Sequence, residues 1–421
     1  NRGNTLQGMD RPEEALASFD RALALRPGFA GALNNRGNTM QSLKRPAEAL
    51  ASFDRALALE PDDPATLNNR GNSLESLDRP EEALASFDRA LALRPEYADA
   101  LNNRGNILRT LNRPREALAS FNRALNLRPD YPDAHWNSSL ACLLLGDFAR
   151  GWAEYEWRWQ VPALRQPVRP FQQPRWQGGE ALAGKTIFVY AEQGIGDTIH
   201  FCRYARLLAA RGARVVLEVQ PILKTLLEGL AGVHTLISRG ESPPEFAFEC
   251  PLLSLPLAFG TDLGSIPAEP HYLVPDEHRV GAWQARLGVR TGMRVGLVWA
   301  GNPTLGNDRT RSVSLQMLTR LAIPGVQLIS LQKELRDGDR ELLAAHPEIL
   351  HLGDELTDFA DTAAVMASLD LVISVDTAAA HLAGAFGRPV WILQRFAPDF
   401  RWLLDREDSP WYPSARLFRQ P

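Results

Sequence analysis

An α-helical solenoid followed by two doubly wound α/β domains is the fold class that this sequence predicts, and three observations predict it. The opening third repeats every 34 residues: Pro27, Pro61, Pro95 and Pro129 recur at that spacing, as do Gly3, Gly37, Gly71 and Gly105, and Phe19, Phe53, Phe87 and Phe121. A period of that length belongs to stacked helix–turn–helix units, each of which needs a neighbour to bury its apolar face. A proline-rich passage then interrupts the helical texture after residue 160. Beyond it, short apolar runs alternate with helical stretches, the pattern of parallel strands joined by crossover helices.

In the copy spanning 30–63, Leu33, Gly37, Ala49, Phe53, Ala56 and Pro61 fill bulky, glycine, small, aromatic, small and proline slots. Small residues let two antiparallel helices approach, the ring fills the gap, and proline stops the second helix. This pattern closely resembles the tetratricopeptide repeat. Arg2, Arg36, Arg70 and Arg104 depart from it, standing where that family carries leucine. Their slot is expected to be less buried, or to let the guanidinium reach out to solvent. A fifth, looser copy covers 136–145, a turn at Gly146-Asp147, and Trp152, Tyr155 and Trp157; its aromatic excess suits a terminal repeat with a different neighbour. The solenoid is assigned to 1–160. It opens mid-helix at Asn1 without Met, so the natural protein is expected to continue upstream.

Along the first helix of each copy run Asn35, Asn69 and Asn103, with Asn38, Asn72 and Asn106 one turn on. The resemblance implies that this helix lines the inner groove. An amide offers both donor and acceptor, which suits gripping the backbone of a protein or peptide partner. It equally suits tying neighbouring repeats together.

With 421 residues and 45% hydrophobic content, the chain has material for two or three cores. A net charge of −4 and the lack of a basic tract give no reason to expect nucleic acid. No apolar run reaches membrane-spanning length. Cys142, Cys202 and Cys250 are few and unpatterned, which reads as reduced thiols in a cytoplasmic compartment. Four lysines stand against 42 arginines, a bias of genome composition rather than of function.

Pro162, Pro167, Pro170 and Pro174 mark an extended linker over 161–183. An N-terminal α/β domain is expected over 184–285. Its strands are placed at 186–190, 214–219, 235–238 and 246–250, with helices at 198–210 and 223–230. A Pro- and Gly-rich passage covers 252–292. A second α/β domain follows over 286–421, with strands at 294–299, 327–331, 349–352, 371–375 and 390–393. Two such domains in tandem place a cleft at the carboxyl ends of their sheets, where these folds bind ligands.

Two loops carry the chemistry. The first, 193–200, follows the first strand and contains Gly194, Gly196, Asp197 and His200. Its Gly-x-Gly, with Glu218 ending the next strand, invites a dinucleotide reading. Against that, Ile199 replaces the third glycine, and Asp197 would repel a pyrophosphate. Asp197 either caps the helix or accepts a proton from a hydroxyl. The second loop, Asp376, Thr377, Ala378, Ala379, Ala380 and His381, follows an apolar strand. Small side chains at a helix start let backbone amides approach a phosphate. The plainer alternative is a capping pair and a buried histidine.

Together, Gly-Asp-x-x-His in the first domain, and Ser-x-Asp-Thr-x-x-x-His with 385–389 in the second, resemble the heptosyltransferase-like family 9 of glycosyltransferases over 184–421. The resemblance implies a GT-B fold, two Rossmann-like domains with a cleft between, and inverting transfer from a nucleotide sugar without a metal or cofactor. It implies Asp197 as general base and the 376–381 loop as diphosphate holder. Gly194 and Gly196 are placed on the donor side, Arg311 on the phosphates, and Lys333 and Glu334 on nucleotide or sugar. Ala378 departs from the glycine usual there, and a positive φ at alanine would be costly. With no Asp-x-Asp pair ahead of an open site, activity is expected to survive chelation. The architecture also resembles protein O-glycosyltransferases with a repeat superhelix, in which repeats recruit a protein acceptor. Two alternatives stand beside this expectation: a repeat adaptor with a degenerate nucleotide-sugar-binding domain, and a nicotinamide-dependent enzyme.

Overall fold

In the computed structural model, residues 2–164, 169–304 and 308–420 are described. Pro167 of the expected linker and the opening at Asn1 lie outside them. The chain forms two compact units, one of residues 1–145 and 154–165, the other of 146–153 and 166–421.

In the repeat unit, first helices run Ala30–Ser42, Pro64–Ser76, Ala98–Thr110 and Pro132–Leu144. Second helices run Pro12–Leu25, Pro46–Leu59, Pro80–Leu93 and Pro114–Leu127. Each second helix opens on a proline, whose fixed φ suits that position and whose missing N–H costs nothing there. Its end falls two residues before the repeat-closing proline. The glycine–phenylalanine pairing is steric. A Cβ on Gly37, Gly71 or Gly105 would stand 2.4, 2.5 or 2.3 Å from the ring of Phe53, Phe87 or Phe121. The turn between paired helices needs a left-handed residue, supplied by Asp10, Lys44, Asp78 and Asn112 at φ 54–59° and by Gly146 at 83°.

The arginine slot is partly exposed, as expected, and at Arg36, Arg70 and Arg104 the guanidinium is spent on neighbouring side chains rather than free. Arg70 Nε donates to Asp54 of the preceding repeat at 2.7 Å, and its Nη1 to Ser86 of its own repeat at 2.6 Å. Arg36 does the same with Asp20 and Ser52, and Arg104 with Asp88 and Ser120. Where the series stops, Ser138 takes the arginine position and Asn122 the aspartate position.

The asparagines form a ladder. Asn69 Nδ2 donates to Asn34 Oδ1 at 3.1 Å, Asn103 to Asn68 at 3.0 Å and Asn137 to Asn102 at 3.0 Å. Asn35 donates to Asn4 at 3.0 Å, and Asn103 also reaches Asn72 at 3.0 Å. The amides of Asn35, Asn69 and Asn103 therefore bond neighbouring repeats. Asn38 and Asn106 make no side-chain hydrogen bond among the described residues. In the fifth copy, His135 stacks on Trp157 at 3.9 Å and bonds Glu154. Phe148 and Trp152 fall instead in the second unit, Trp152 meeting Phe201 and Phe400 edge-on.

The second unit holds two parallel sheets. The first runs in the order β3-β2-β1-β4, with β1 Thr186–Tyr190, β2 Arg214–Val219, β3 Val233–Ser238 and β4 Phe248–Pro251. The second runs β10-β9-β8-β5-β6-β7. Its strands are β5 Met293–Val298, β6 Val326–Ser330, β7 Ile349–His351, β8 Leu371–Val375, β9 Val390–Gln394 and β10 Ala415–Arg419. Strand β10 and the helix Glu277–Leu287, capped by Asp276, are additions to the sequence reading.

Residues 169–176 are not a free linker. Trp176 N–H donates to the Glu249 carbonyl at 2.8 Å, Arg175 bonds the Glu249 carboxylate at 2.9 Å, and Phe171 packs on Phe188, Tyr190 and Phe246. The aromatics between the prolines attach this segment to the sheet, and burying them outweighs the freedom lost.

Candidate active site

The helix Ile195–Phe201 leaves β1 through Gly194, and the helix Ala378–Ala385 leaves β8 through Thr377. Their N-termini meet. A Cβ on Gly196 would stand 3.1 Å from His381 Cδ2 and 3.5 Å from Ala378 Cα, so glycine is what permits the approach. Gln220, just after β2, fastens the glycine turn: its amide donates to the Gln193 carbonyl at 2.9 Å and accepts from Thr198 at 2.9 Å. Ala378 opens its helix and is not among the described residues with positive φ, so alanine is unstrained there.

Asp197 lies in the first turn, partly exposed, with both oxygens engaged. Oδ2 accepts the Gly194 N–H at 3.0 Å, and Oδ1 pairs with Arg401. Burial raises its pKa, with Arg401 opposing and Asp399 adding to the rise. Arg401 also bonds Asp399 at 2.8 Å. Burial would raise Asp399 too, but the charge and hydrogen bonds of Arg401 outweigh it and hold that carboxyl low. Asp376 is raised, by burial first and by the charge of Asp399 second.

Thr377 Oγ1 lies 3.2 Å from Ser374 Oγ and makes no side-chain cap. The first intrahelical bonds are given by Ala380 and His381 to the Thr377 carbonyl. The N–H groups of Ala378 and Ala379 are thereby left for an outside acceptor, as at any helix start. Arg311 donates to the Asp376 carbonyl at 3.3 Å and to Asp308 at 3.3 Å, lying across Gly301. It is thus half-buried rather than exposed, and Asp308 is shared with Arg336. Lys333 donates to the Leu356 carbonyl at 2.5 Å, while the Glu334 carbonyl accepts from Gln332 at 3.0 Å. Among the described residues no hydrogen bond joins Lys333 or Glu334 to either motif loop.

His200 does not bond Asp197. It is fully buried, with Nδ1 2.8 Å from the Tyr412 hydroxyl, so it packs. His381 is buried too, stacked on Trp402 at 5.4 Å, and burial with the charge of Arg401 pushes it down to about 3. Glu218 is taken by both terminal nitrogens of Arg169, at 2.8 and 2.5 Å. An Asp-x-Asp pair does exist, Asp337 and Asp339. Asp339 is spent on Trp299 Nε1 at 2.8 Å and on the Arg336 N–H at 2.8 Å. Among the described residues no group of three or more His, Cys, Asp or Glu could hold a metal ion.

Sequence reasoning missed Asp399, Arg401 and Tyr412. They lie in a stretch without periodicity or motif, so only folding brings them to the loops.

Residues 28–96 and 62–130 match the tetratricopeptide repeat family, and the N-terminal region consists of such repeats. The C-terminal part is an α/β domain with parallel sheets. Protein FlbA of Caulobacter vibrioides is 32% identical over 308 residues, which cover 66% of this chain and 50% of that protein. The chain therefore spans half the length of this relative. Among solved structures, PilW, a type IV pilus biogenesis factor, is 30% identical over 38% of this chain and 75% of its own, with a TM-score of 0.35. YrrB, a TPR protein with an unusual peptide-binding site, is 24% identical over 38% and 83%, at 0.33. MamA is 18% identical over 38% and 94%, at 0.35. No helix among the described residues is long and apolar enough to cross a membrane.

Proposed function

We propose that the α/β unit is an inverting, metal-independent glycosyltransferase of GT-B type with a nucleotide-sugar donor, and that the repeats recruit a protein acceptor. The observation that carries this reading is the meeting of two helix N-termini, one bearing Asp197 and the other beside Asp376 and Arg311. The amides of Ala378 and Ala379, the Thr377 hydroxyl and Arg311 would hold the diphosphate, where a helix dipole and a cation stabilise the leaving charge. Asp197 would take the acceptor proton as its hydroxyl attacks; a carboxyl raised by burial is better matched to that task than an ordinary one. Lys333 and Glu334 would reach the nucleotide from the end of β6. Tetratricopeptide repeats support a protein-interaction role. Asn38, Asn72 and Asn106 would serve the groove, since the ladder leaves their amide nitrogens unspent.

The nicotinamide alternative loses its ribose carboxylate, because Glu218 is committed to Arg169. The adaptor alternative draws on one observation: both Asp197 oxygens are occupied. Thermal shifts with a panel of nucleotide sugars and NAD separate the three. The expected result is stabilisation by one nucleotide sugar and transfer to a protein acceptor. Stabilisation without hydrolysis or transfer means the adaptor, and stabilisation by none overturns the donor site.

A further inference from the structure

Tyr412 belongs to neither motif, yet its hydroxyl joins both motif histidines. It lies 2.8 Å from His200 Nδ1 and 3.0 Å from His381 Nδ1, and all three side chains are buried. A hydroxyl has one proton to give, so Tyr412 donates at most one of these bonds. The far nitrogens decide which. His381 Nε2 stands 3.9 Å from Asp376 Oδ1, where an N–H is attracted and a bare lone pair repelled. His200 Nε2 is buried with no partner among the described residues, and there an N–H is the costlier group to strand. The neighbouring Tyr272 hydroxyl gives its proton to the Ile199 carbonyl at 2.8 Å and accepts from Arg203 at 3.1 Å. Sending the Tyr412 proton to Tyr272 would leave His381 facing Asp376 with a lone pair. Burial first, with the charge of Arg203 at His200 and of Arg401 at His381, keeps both rings neutral. Arg203 also lies over the Tyr412 ring at 4.6 Å.

We propose that Tyr412 is a positioning residue. It accepts the Nδ1–H of His200 and donates to His381 Nδ1, fixing His381 as the Nε2–H tautomer with that N–H directed at Asp376. One hydroxyl thereby registers the helix that carries Asp197 against the helix that follows Asp376. Only the kinetic consequence rests on the transferase reading; the proton arrangement does not.

The test is imidazole-¹⁵N NMR of the full chain without ligand. Spectra are recorded at about pH 8, where the Asp376 carboxyl, raised to about 6, is ionised, and the signals lost in His200→Gln and in His381→Gln are picked out from those of the eight histidines. The expected wild-type result is His200 as Nδ1–H and His381 as Nε2–H. Finding His381 as Nδ1–H or as imidazolium overturns the proposal. Tyr412→Phe keeps the ring, which sits against Gly384 so closely that a Cβ there would be 2.4 Å away. In that variant His200 should leave the Nδ1–H form; retention of it also overturns the proposal. With donor and acceptor, kcat should fall on the order of 10–100-fold with KM for the donor unchanged, as for a misplaced reacting group. A raised KM with unchanged kcat contradicts a positioning role. If no transfer is found while the tautomers are as stated, the transferase reading fails and this arrangement stands.

Discussion

Two residues at the carboxyl ends of the neighbouring strands β8 and β9 are held against their own preference. Gln394, at the carboxyl end of β9, is 5% exposed, and neither amide atom has a partner among the described residues. A buried unpaired polar group costs about 1–3 kcal/mol, so Gln394→Met should stabilise the unliganded protein by about 1–2 kcal/mol in denaturant unfolding. A loss of stability would mean that the amide is paired after all. Asp376 makes a related case. Its folded pKa is raised above the ordinary 3.8, so ionising it is harder in the folded chain than in the unfolded one. Its contribution to stability is therefore lost as pH rises from 3.8 through the raised value. Asp376→Asn escapes that loss. It should melt about 2 °C higher near pH 7, the advantage vanishing as pH falls below the unfolded value. An advantage that grew in acid would refute the assignment.

At the scale of elements, the repeat is governed by a few fixed pairs. Gly71→Ala puts a methyl against the Phe87 ring, and overpacking of this kind should cost about 1–3 kcal/mol, read from the shift of the unfolding midpoint. The glycine–aromatic and proline slots were legible because each depends on neighbours within one copy. The partners of the arginine slot were not, since Arg70 finds Asp54 in the preceding repeat and Ser86 in its own, a geometry that spacing does not reveal. The asparagines were left between two uses for the same reason. An amide is spent or available according to the superposition of one repeat on the next, and Asn69 and Asn103 are spent. The strand edges came out close to the apolar runs, because a strand buried on both faces must be apolar throughout. Strand β10, half-exposed at the sheet edge, gave no such run.

For the whole molecule, the transferase reading makes one kinetic prediction. Asp197→Asn should keep donor affinity and lower transfer by about 10²–10⁴-fold, and the wild-type rate should survive EDTA. Full turnover by the variant would leave Asp197 as a helix-start carboxylate only. Abolition by EDTA, restored by a divalent ion, would remove the metal-free mechanism. The sequence by itself determined the repeat period, the change to parallel α/β structure and the two motif loops, because each is written in contiguous residues with a local physical cause. Only the tertiary structure decided that Arg401 holds Asp197, that Arg169 takes Glu218 and that Tyr412 joins two histidines 181 residues apart in number, 200 and 381. Such pairings join residues far apart along the chain, and what selects them is the cost of leaving buried charges and hydroxyls without a partner.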